Sequence, residues 1–187
     1  QADRDAIRKL LGLNPEKFPL MRRTWPTNRP FRFLWCGAHN PRKGWTEVLE
    51  AWKDAFLLRP DLELYLKTTE LDQTIHQVGN ILFDTRTVSH EELLSLYQTA
   101  DCFVFPSMGE GWGLTLQEAM ATGLPCLATL HTGMLDFADE SVVIPVKYNP
   151  VTMWMQKEGG VGETPRATNE FFPVTVEKAD VRDLIRQ

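Results

Sequence analysis

The sequence predicts an α/β domain in which a Rossmann-like parallel sheet carries helices on both faces. Short runs rich in branched and aromatic residues recur along the chain, and most are almost continuously apolar, which is typical of strands covered on both faces. Between these runs, apolar residues recur at spacings of three and four, a pattern that indicates amphipathic helices. Because strands and helices alternate, parallel βαβ units are expected.

The individual elements follow in order along the chain. Strands are expected at residues 31–36, 62–67, 80–83, 102–106, 126–128 and 142–145, and helices at residues 44–58, 91–99 and 114–122. Ser89 and Glu92 have the spacing of a capping box at the start of the second helix. Gly123 and Pro125 are stop signals after the third helix. Ligands of such sheets bind outside the carboxyl ends of the strands, so a site is expected in the loops that follow them.

The length of 187 residues is that of one domain. We expect a single domain over residues 1–187, with a linker and leading helix in residues 1–30, a long polar surface loop at residues 149–172 and a terminal helix at residues 173–187. The first residue is Gln, so we expect the chain to be processed or to be a piece of a longer protein.

The net charge of −5 is unevenly distributed. Residues 1–45 carry ten Lys or Arg side chains against three acidic ones, and the acidic excess lies in the rest of the chain. An acidic domain argues against nucleic-acid binding in general. The basic first quarter either faces an anionic ligand or partner or is a solvated face.

Three cysteines, Cys36, Cys102 and Cys126, each lie in an apolar, strand-like run, so reduced and buried thiols are expected, as in a reducing cytosol. No apolar run approaches the ~20 residues of a membrane span, and no signal-peptide pattern is present. We therefore expect a cytoplasmic protein with no transmembrane segment.

Two carboxylates, Glu110 and Glu118, flank a glycine-broken turn in P-S-M-G-E-G-W-G-L-T-L-Q-E-A-M, residues 106–120. In one continuous helix, residues eight apart would point about 80° away from each other, so the acids converge only if Glu110 lies in a loop and Glu118 in the first turns of a helix. Gly111 and Gly113 leave backbone N–H groups exposed at the helix N-terminus, which is a ready anion site. This order suits a ligand with hydroxyls at both ends and phosphates in the middle, such as a nucleotide-diphosphate (NDP) sugar.

This string, P-S-x-x-E-G-W-G-L-x-x-x-E-A-M-A-x-G-x-P, resembles the retaining glycosyltransferases of family 4, and the resemblance extends over roughly residues 8–146. It implies one half of a GT-B glycosyltransferase, the C-terminal donor-binding domain, which transfers a hexose from an NDP-sugar of the UDP or GDP type. It also implies that Glu110 approaches the transferred sugar and that Glu118 accepts hydrogen bonds from the ribose hydroxyls. The N-terminal acceptor domain would be absent, so the chain alone is expected to be inactive, and any peripheral membrane contact would come through that missing domain.

A second string, F-L-W-C-G-A-H-N-P-R-K-G at residues 33–44, resembles the strand–glycine–loop–Lys-Gly element of the same family. The resemblance implies that Lys43 contacts the donor diphosphate and stabilises the leaving group. An arginine commonly follows the strand-end glycine in the family, whereas this chain has Ala38 after Gly37. Arg42 or His39 would then have to supply the second charge.

The complete set of expected donor contacts is Gly37, Ala38, Arg42, Lys43, Phe83, Thr85, Glu110, Gly111, Trp112, Gly113, Leu114, Thr115 and Glu118, with Lys43 and Glu110 as the catalytic residues. The resemblance implies that the nucleobase is recognised largely through the backbone of residues 83–86 and 91–94. Trp112 is interpreted as a packing wedge. His131 and Gly133 resemble the family's loop beneath the donor sugar. No cofactor and no metal are expected, since the sequence has no D-x-D pair and no clustered ligands at metal spacing.

Two alternatives stay open. One is a non-catalytic module that binds nucleotide sugars, which the alanine at position 38 favours. The other is a GT-B epimerase or phosphorylase-like domain. The sequence leaves the sugar, the nucleobase and the acceptor undetermined.

Overall fold

The computed structural model describes residues 28–69, 72–156 and 171–186. The leading helix expected before residue 12 lies outside these residues. A seven-stranded sheet has the strand order β3-β4-β2-β1-β5-β6-β7. Its strands are β1 Phe31–Cys36, β2 Leu62–Lys67, β3 Ile75–Val78, β4 Ile81–Asp84, β5 Cys102–Phe105, β6 Cys126–Ala128 and β7 Ile144–Pro145. All neighbouring strands pair in parallel except β3, which pairs antiparallel with β4.

Helices cover both faces of this sheet, as predicted. They are α1 Trp45–Ala55, α2 His90–Thr99, α3 Leu114–Ala121 and α4 Val181–Arg186, with short 3-10 helices at Pro41–Lys43 and Thr132–Asp136. The capping box at Ser89 and Glu92 is confirmed, because each side chain accepts a hydrogen bond from the backbone of the other residue. Within the described residues, no helix is long and apolar enough to cross a bilayer.

The core lies in two layers that share β1. Trp35 points to one face and packs with Val48 and Trp52 of α1. Its neighbour Leu34 points to the opposite face and packs with the side chains of α2 and α3. Consecutive residues are therefore buried on opposite sides, which explains why the strand reads as continuously apolar. The three cysteines are free thiols, with Cys102 and Cys126 buried and Cys36 partly exposed.

The antiparallel edge strand β3 was not predicted. All four of its residues are exposed, so its sequence has no buried apolar run to reveal it. It turns into β4 through Gly79, whose φ of 61° is in the left-handed region. Tertiary pairing with β4, rather than a local signal, makes this segment a strand.

The long loop expected at residues 149–172 is wrong where the structure describes it, and the helix expected at residues 173–187 is confirmed only in its last part. Tyr148–Gln156 and Phe171–Ala179 form β8 and β9, an antiparallel ribbon separate from the main sheet, and the helix covers only Val181–Arg186. The two strands pair along their whole length, so backbone groups of one strand have hydrogen-bonding partners in the other. Polar residues and a proline in each strand therefore did not prevent strand formation. Residues 157–170 lie outside the described part.

Candidate active site

The loop after β1 packs directly against the loop after β5. The backbone N–H of Met108 donates to the carbonyl of Arg42 at 2.7 Å. Gly44 has a φ of 74°, and a Cβ added there would overlap the carbonyl group of Pro106. Backbone thus lies against backbone, and this close approach brings the Lys43 segment to the loop that carries Glu110.

Lys43 and Glu110 form an ion pair at this contact. The Lys43 Nζ lies 2.7 Å from both carboxylate oxygens of Glu110, and the Ser107 hydroxyl donates to Oε1 at 2.6 Å. The Glu110 side chain is only 7% exposed and that of Lys43 is 19% exposed. Two residues selected from separate strings of the sequence therefore meet in space.

Arg42 supplies a second cation beside this pair. Its Nη1 lies 3.9 Å from Oε1 of Glu110 and donates to the carbonyl of Gly109. The other residue considered for this charge, His39, is exposed and its ring lies 4.7 Å from the Trp45 ring. Ala38 is also exposed. Arg42 is thus the one of the two placed beside Glu110.

The N-terminus of α3 follows this loop without a side-chain cap. Gly113 is the N-cap residue, with a φ of 92°, and no side chain of the described residues bonds to the free N–H groups there. Leu114, the first helical residue, is 64% exposed. The first-turn amides, including those of Leu114 and Thr115, are therefore open to an anionic ligand.

Trp112 packs against the same loop system. Its Nε1 donates to Oε1 of Gln117 at 2.9 Å, and its ring lies 5.5 Å from the ring of Phe137. A Cβ added at the neighbouring Gly111 would have no atom within 4 Å. These contacts are those of a packing residue, while the 37% of Trp112 that is exposed leaves part of the indole accessible.

Glu118 lies in the second turn of α3 and is half-buried. Its Oε2 accepts a hydrogen bond from the Tyr97 hydroxyl at 3.0 Å. Burial raises the pKa of Glu118, while the Tyr97 bond and the charge of His90 act in the opposite direction. This carboxyl is therefore easier to protonate than an ordinary glutamate.

A third loop, after β6, fixes the Glu110 loop from the other side. The Thr132 hydroxyl accepts from the backbone N–H of Glu110 at 3.0 Å, and the Gly133 N–H donates to the Glu110 carbonyl at 3.2 Å. Thr132 has a φ of 55°, which is unusual for a β-branched residue. Strain of this kind persists where surrounding contacts require it, and it occurs often at functional sites.

Buried His131 also supports this loop system. Its Nε2 lies 2.9 Å from the carbonyl of Ser107, which also accepts from the Thr129 hydroxyl at 2.6 Å. Burial lowers the pKa of His131, so the imidazole is neutral at pH 7 and donates through Nε2. Ser107, whose hydroxyl donates to Glu110, is thus itself held by hydrogen bonds from two residues of the loop after β6.

In the segment expected to recognise a nucleobase, the side chains of Phe83 and Thr85 are engaged within the protein. Phe83 packs against the core layer beneath α1, and the Thr85 hydroxyl donates to Asp72 at 2.6 Å. Their side chains are therefore occupied, and so is the backbone of Thr85, because its N–H donates to the carbonyl of Thr74 at 2.9 Å and its carbonyl accepts from Gln73 at 3.3 Å.

Sequence reasoning missed a polar cluster at the ends of β2 and β4. Asp84 accepts two hydrogen bonds from the Arg86 side chain, at 3.0 and 2.9 Å, and one from Tyr65 at 2.7 Å. Burial alone would raise the pKa of Asp84, but these bonds lower it to about 2. Lys67, only 3% exposed, donates to the carbonyls of Thr68 and Arg86. One signal for this cluster was present in the sequence, because each of the two apolar strands ends in a charged residue, Lys67 in β2 and Asp84 in β4.

The fold and this arrangement of loops define the class of protein as the C-terminal domain of a GT-B glycosyltransferase. The family model described as "Glycosyl transferases group 1" matches residues 19–150, and the chain belongs to that family. The predicted resemblance to GT-B glycosyltransferases is confirmed. All the expected donor-contact residues lie within the matched region.

Curated relatives are considerably longer than this chain. The amylovoran biosynthesis glycosyltransferase AmsK of Erwinia amylovora is 28% identical over 152 residues, which is 71% of this chain and 35% of the relative. The serotype-specific mannosyltransferase WbdA of Escherichia coli is 30% identical over 104 residues, 51% of this chain and 13% of the relative. The chain therefore spans about a third or less of the length of these relatives.

Solved structures show the same fold. The C-terminal domain of the glycosyl transferase group 1 family protein LpcC from Francisella tularensis has a TM-score of 0.59 at 21% identity, covering 72% of this chain and 80% of that one. A sucrose-phosphate synthase from Thermosynechococcus elongatus has a TM-score of 0.51 at 24% identity, covering 76% and 35%.

Proposed function

We propose that this chain binds the NDP-sugar donor of a retaining hexosyltransferase, with UDP or GDP as the nucleotide. The observation that carries the proposal is the meeting of Lys43, Glu110 and the uncapped N-terminus of α3 at one edge of the sheet. A cation, open amides and an acid within one loop system suit a diphosphate joined to a sugar. A mannosyltransferase among the relatives supports a hexose as the transferred group.

Each part has a defined task in this proposal. When the bond between the anomeric carbon and the phosphate oxygen breaks, negative charge develops on the leaving diphosphate. Lys43 and the amides of Gly113 and Leu114 stabilise that charge, because fixed donors in a partly buried site need little reorganisation. Glu110 holds Lys43 in the free site and, once the diphosphate takes over the cation, accepts from hydroxyls of the sugar. Glu118 accepts from the ribose hydroxyls.

The acceptor is bound elsewhere in this proposal. The relative AmsK carries about two thirds of its length outside the matched region, and we assign acceptor binding to such a region. We therefore expect the chain alone to bind donor and to transfer little or no sugar. The free thiols fit a reducing compartment, so a cytoplasmic location is part of the proposal.

A second candidate is a module that binds nucleotide sugars without turnover. Ala38 favours it, since the loop after β1 lacks a cation at that position. Arg42 beside Glu110 favours the enzyme. Turnover by the full-length parent protein decides between the two.

A thermal-shift panel tests donor binding. UDP-, GDP- and ADP-sugars are added separately to the chain, and a ligand that binds only the native state raises the unfolding midpoint, by more the tighter it binds. We expect one UDP- or GDP-sugar to raise the midpoint, and Glu118→Gln to reduce that rise. Because this variant lacks the charged acceptor, it should bind the NDP-sugar about tenfold more weakly. If no NDP-sugar shifts the midpoint at millimolar concentration, the proposal is wrong.

A chelator should leave donor binding unchanged. Lys43 and the helix amides provide the positive charge that a divalent cation provides in other transferases. Calorimetric titration with and without EDTA measures this directly. A loss of affinity in EDTA that Mg²⁺ or Mn²⁺ restores would show that a metal takes part.

A further inference from the structure

We propose that Tyr97 is a positioning residue whose hydroxyl fixes the Glu118 carboxylate for the ribose hydroxyls of the donor. The inference rests on the ribose-binding role proposed above for Glu118. Tyr97 lies in α2 and Glu118 in α3, so the bond at 3.0 Å joins two helices at the edge of the site.

The core leaves the Tyr97 side chain little freedom. It is fully buried, and its ring packs edge-on against Phe103 at 5.9 Å between centroids. The hydroxyl also lies 3.4 Å from the carbonyl of Thr115, in the first turn of α3. A rigid phenol therefore presents its O–H at a fixed point beside Glu118.

This bond leaves one oxygen of the carboxylate for a ligand. Oε2 of Glu118 accepts from Tyr97, whereas Oε1 accepts no hydrogen bond from the part of the chain that the structure describes. A glutamate on a helix has three rotatable side-chain bonds, and ordering such a side chain costs free energy when a ligand binds. Because Tyr97 orders the carboxylate before the ligand binds, the free energy of ribose binding is not reduced by that ordering.

The same bond keeps Glu118 ionised. Burial raises the pKa of Glu118, and the Tyr97 bond lowers it, as does the charge of His90 at the start of α2. The other ionisable neighbours are two thiols. Burial raises the pKa of the Cys36 thiol in β1 to about 12, and the Cys126 thiol in β6 lies near Tyr97. The Cys36 thiol is therefore neutral at the relevant pH. Removing the phenol O–H should therefore raise the pKa of Glu118 further.

The sign of the pH effect follows. Glu118 accepts best as the carboxylate, so donor binding is complete above its pKa and falls as the pH drops through it. In Tyr97→Phe this fall should occur at higher pH than in the wild type. If Tyr97 only filled the core, its replacement would lower the stability of the fold and would leave the pH at which binding falls unchanged.

Calorimetric titration of a nucleoside diphosphate into Tyr97→Phe tests the proposal, from about pH 5 to about pH 8. We expect a loss of about three- to tenfold at neutral pH, corresponding to one hydrogen bond, and a larger loss at acid pH. The 2′,3′-dideoxy nucleoside diphosphate should bind both proteins equally, because it lacks the ribose hydroxyls. Phe keeps the ring, so the fold survives, and equal binding of the dideoxy ligand demonstrates this.

Two controls separate the possible failures. Tyr148→Phe removes another tyrosine hydroxyl, which donates to the carbonyl of Leu130. This variant should change neither the affinity for the diphosphate nor the pH at which binding falls. If Glu118→Gln binds the diphosphate as the wild type does, the proposed ribose role itself is wrong. If Glu118→Gln weakens binding while Tyr97→Phe matches the wild type at every pH, the positioning role of Tyr97 is wrong.

Discussion

Lys43→Ala should reduce the affinity for a nucleoside diphosphate by about 100-fold, the upper end for one charge-assisted hydrogen bond. Two effects add. The diphosphate loses its cation, and the Glu110 carboxylate, 7% exposed, loses the partner that neutralises it. An unpaired carboxylate beside the phosphates repels them. Calorimetry with the diphosphate and with the bare nucleoside measures the loss, which should be confined to the diphosphate.

Matched variants identify the cause. Lys53→Ala removes an exposed lysine from the end of α1 and should bind like the wild type. The double variant Lys43→Ala/Glu110→Gln should regain part of the diphosphate affinity, since the unpaired charge is gone. An equal loss for nucleoside and diphosphate would indicate a folding defect instead, and an unchanged affinity would remove Lys43 from the diphosphate site.

Gly44→Ala should lower the free energy of unfolding by about 2–5 kcal/mol. A left-handed φ costs an L-residue about 1–2 kcal/mol, and overpacking against fixed atoms costs about 1–3 kcal/mol more. The added Cβ would lie 2.7 Å from the carbonyl carbon of Pro106, in the backbone that leads to Glu110. Urea unfolding of the variant measures the change.

Gly79→Ala is the control for the steric part. Gly79 has a φ of 61°, close to the 74° of Gly44, but the nearest atom to an added Cβ is a flexible Leu57 methyl at 3.9 Å. This variant should lose only about 1–2 kcal/mol, the conformational cost alone. If both variants lost the same free energy, the close approach of the two site loops at Gly44 would not be important for stability.

The parts of the fold that local sequence determines were predicted well. Strands of the sheet interior are apolar on both faces, and the capping box at Ser89 defines the start of α2 through adjacent residues. Edge strand β3 and the ribbon of β8 and β9 form by pairing between segments, and a single segment carries no sign of its partner. The errors are therefore concentrated where pairing, rather than periodicity, determines the structure.

The candidate site shows the same division. Lys43, Glu110 and Glu118 stand in recognisable strings, so they were found. Their partners come from other elements: Thr132 from the loop after β6 and Tyr97 from α2. The Tyr97 ring is fully buried, and only the three-dimensional packing shows where its hydroxyl lies.

Calorimetric titration of nucleoside, nucleoside diphosphate and NDP-sugar into the wild type and Glu110→Gln tests donor binding at this site most directly. We predict one site in the wild type, with affinity rising from nucleoside to diphosphate to NDP-sugar. Glu110→Gln should remove only the last increase, because the diphosphate still binds Lys43 and the amides of α3. If the nucleoside bound as tightly as the NDP-sugar, or if Glu110→Gln lowered the diphosphate and NDP-sugar affinities equally, the proposed placement of the donor would be contradicted.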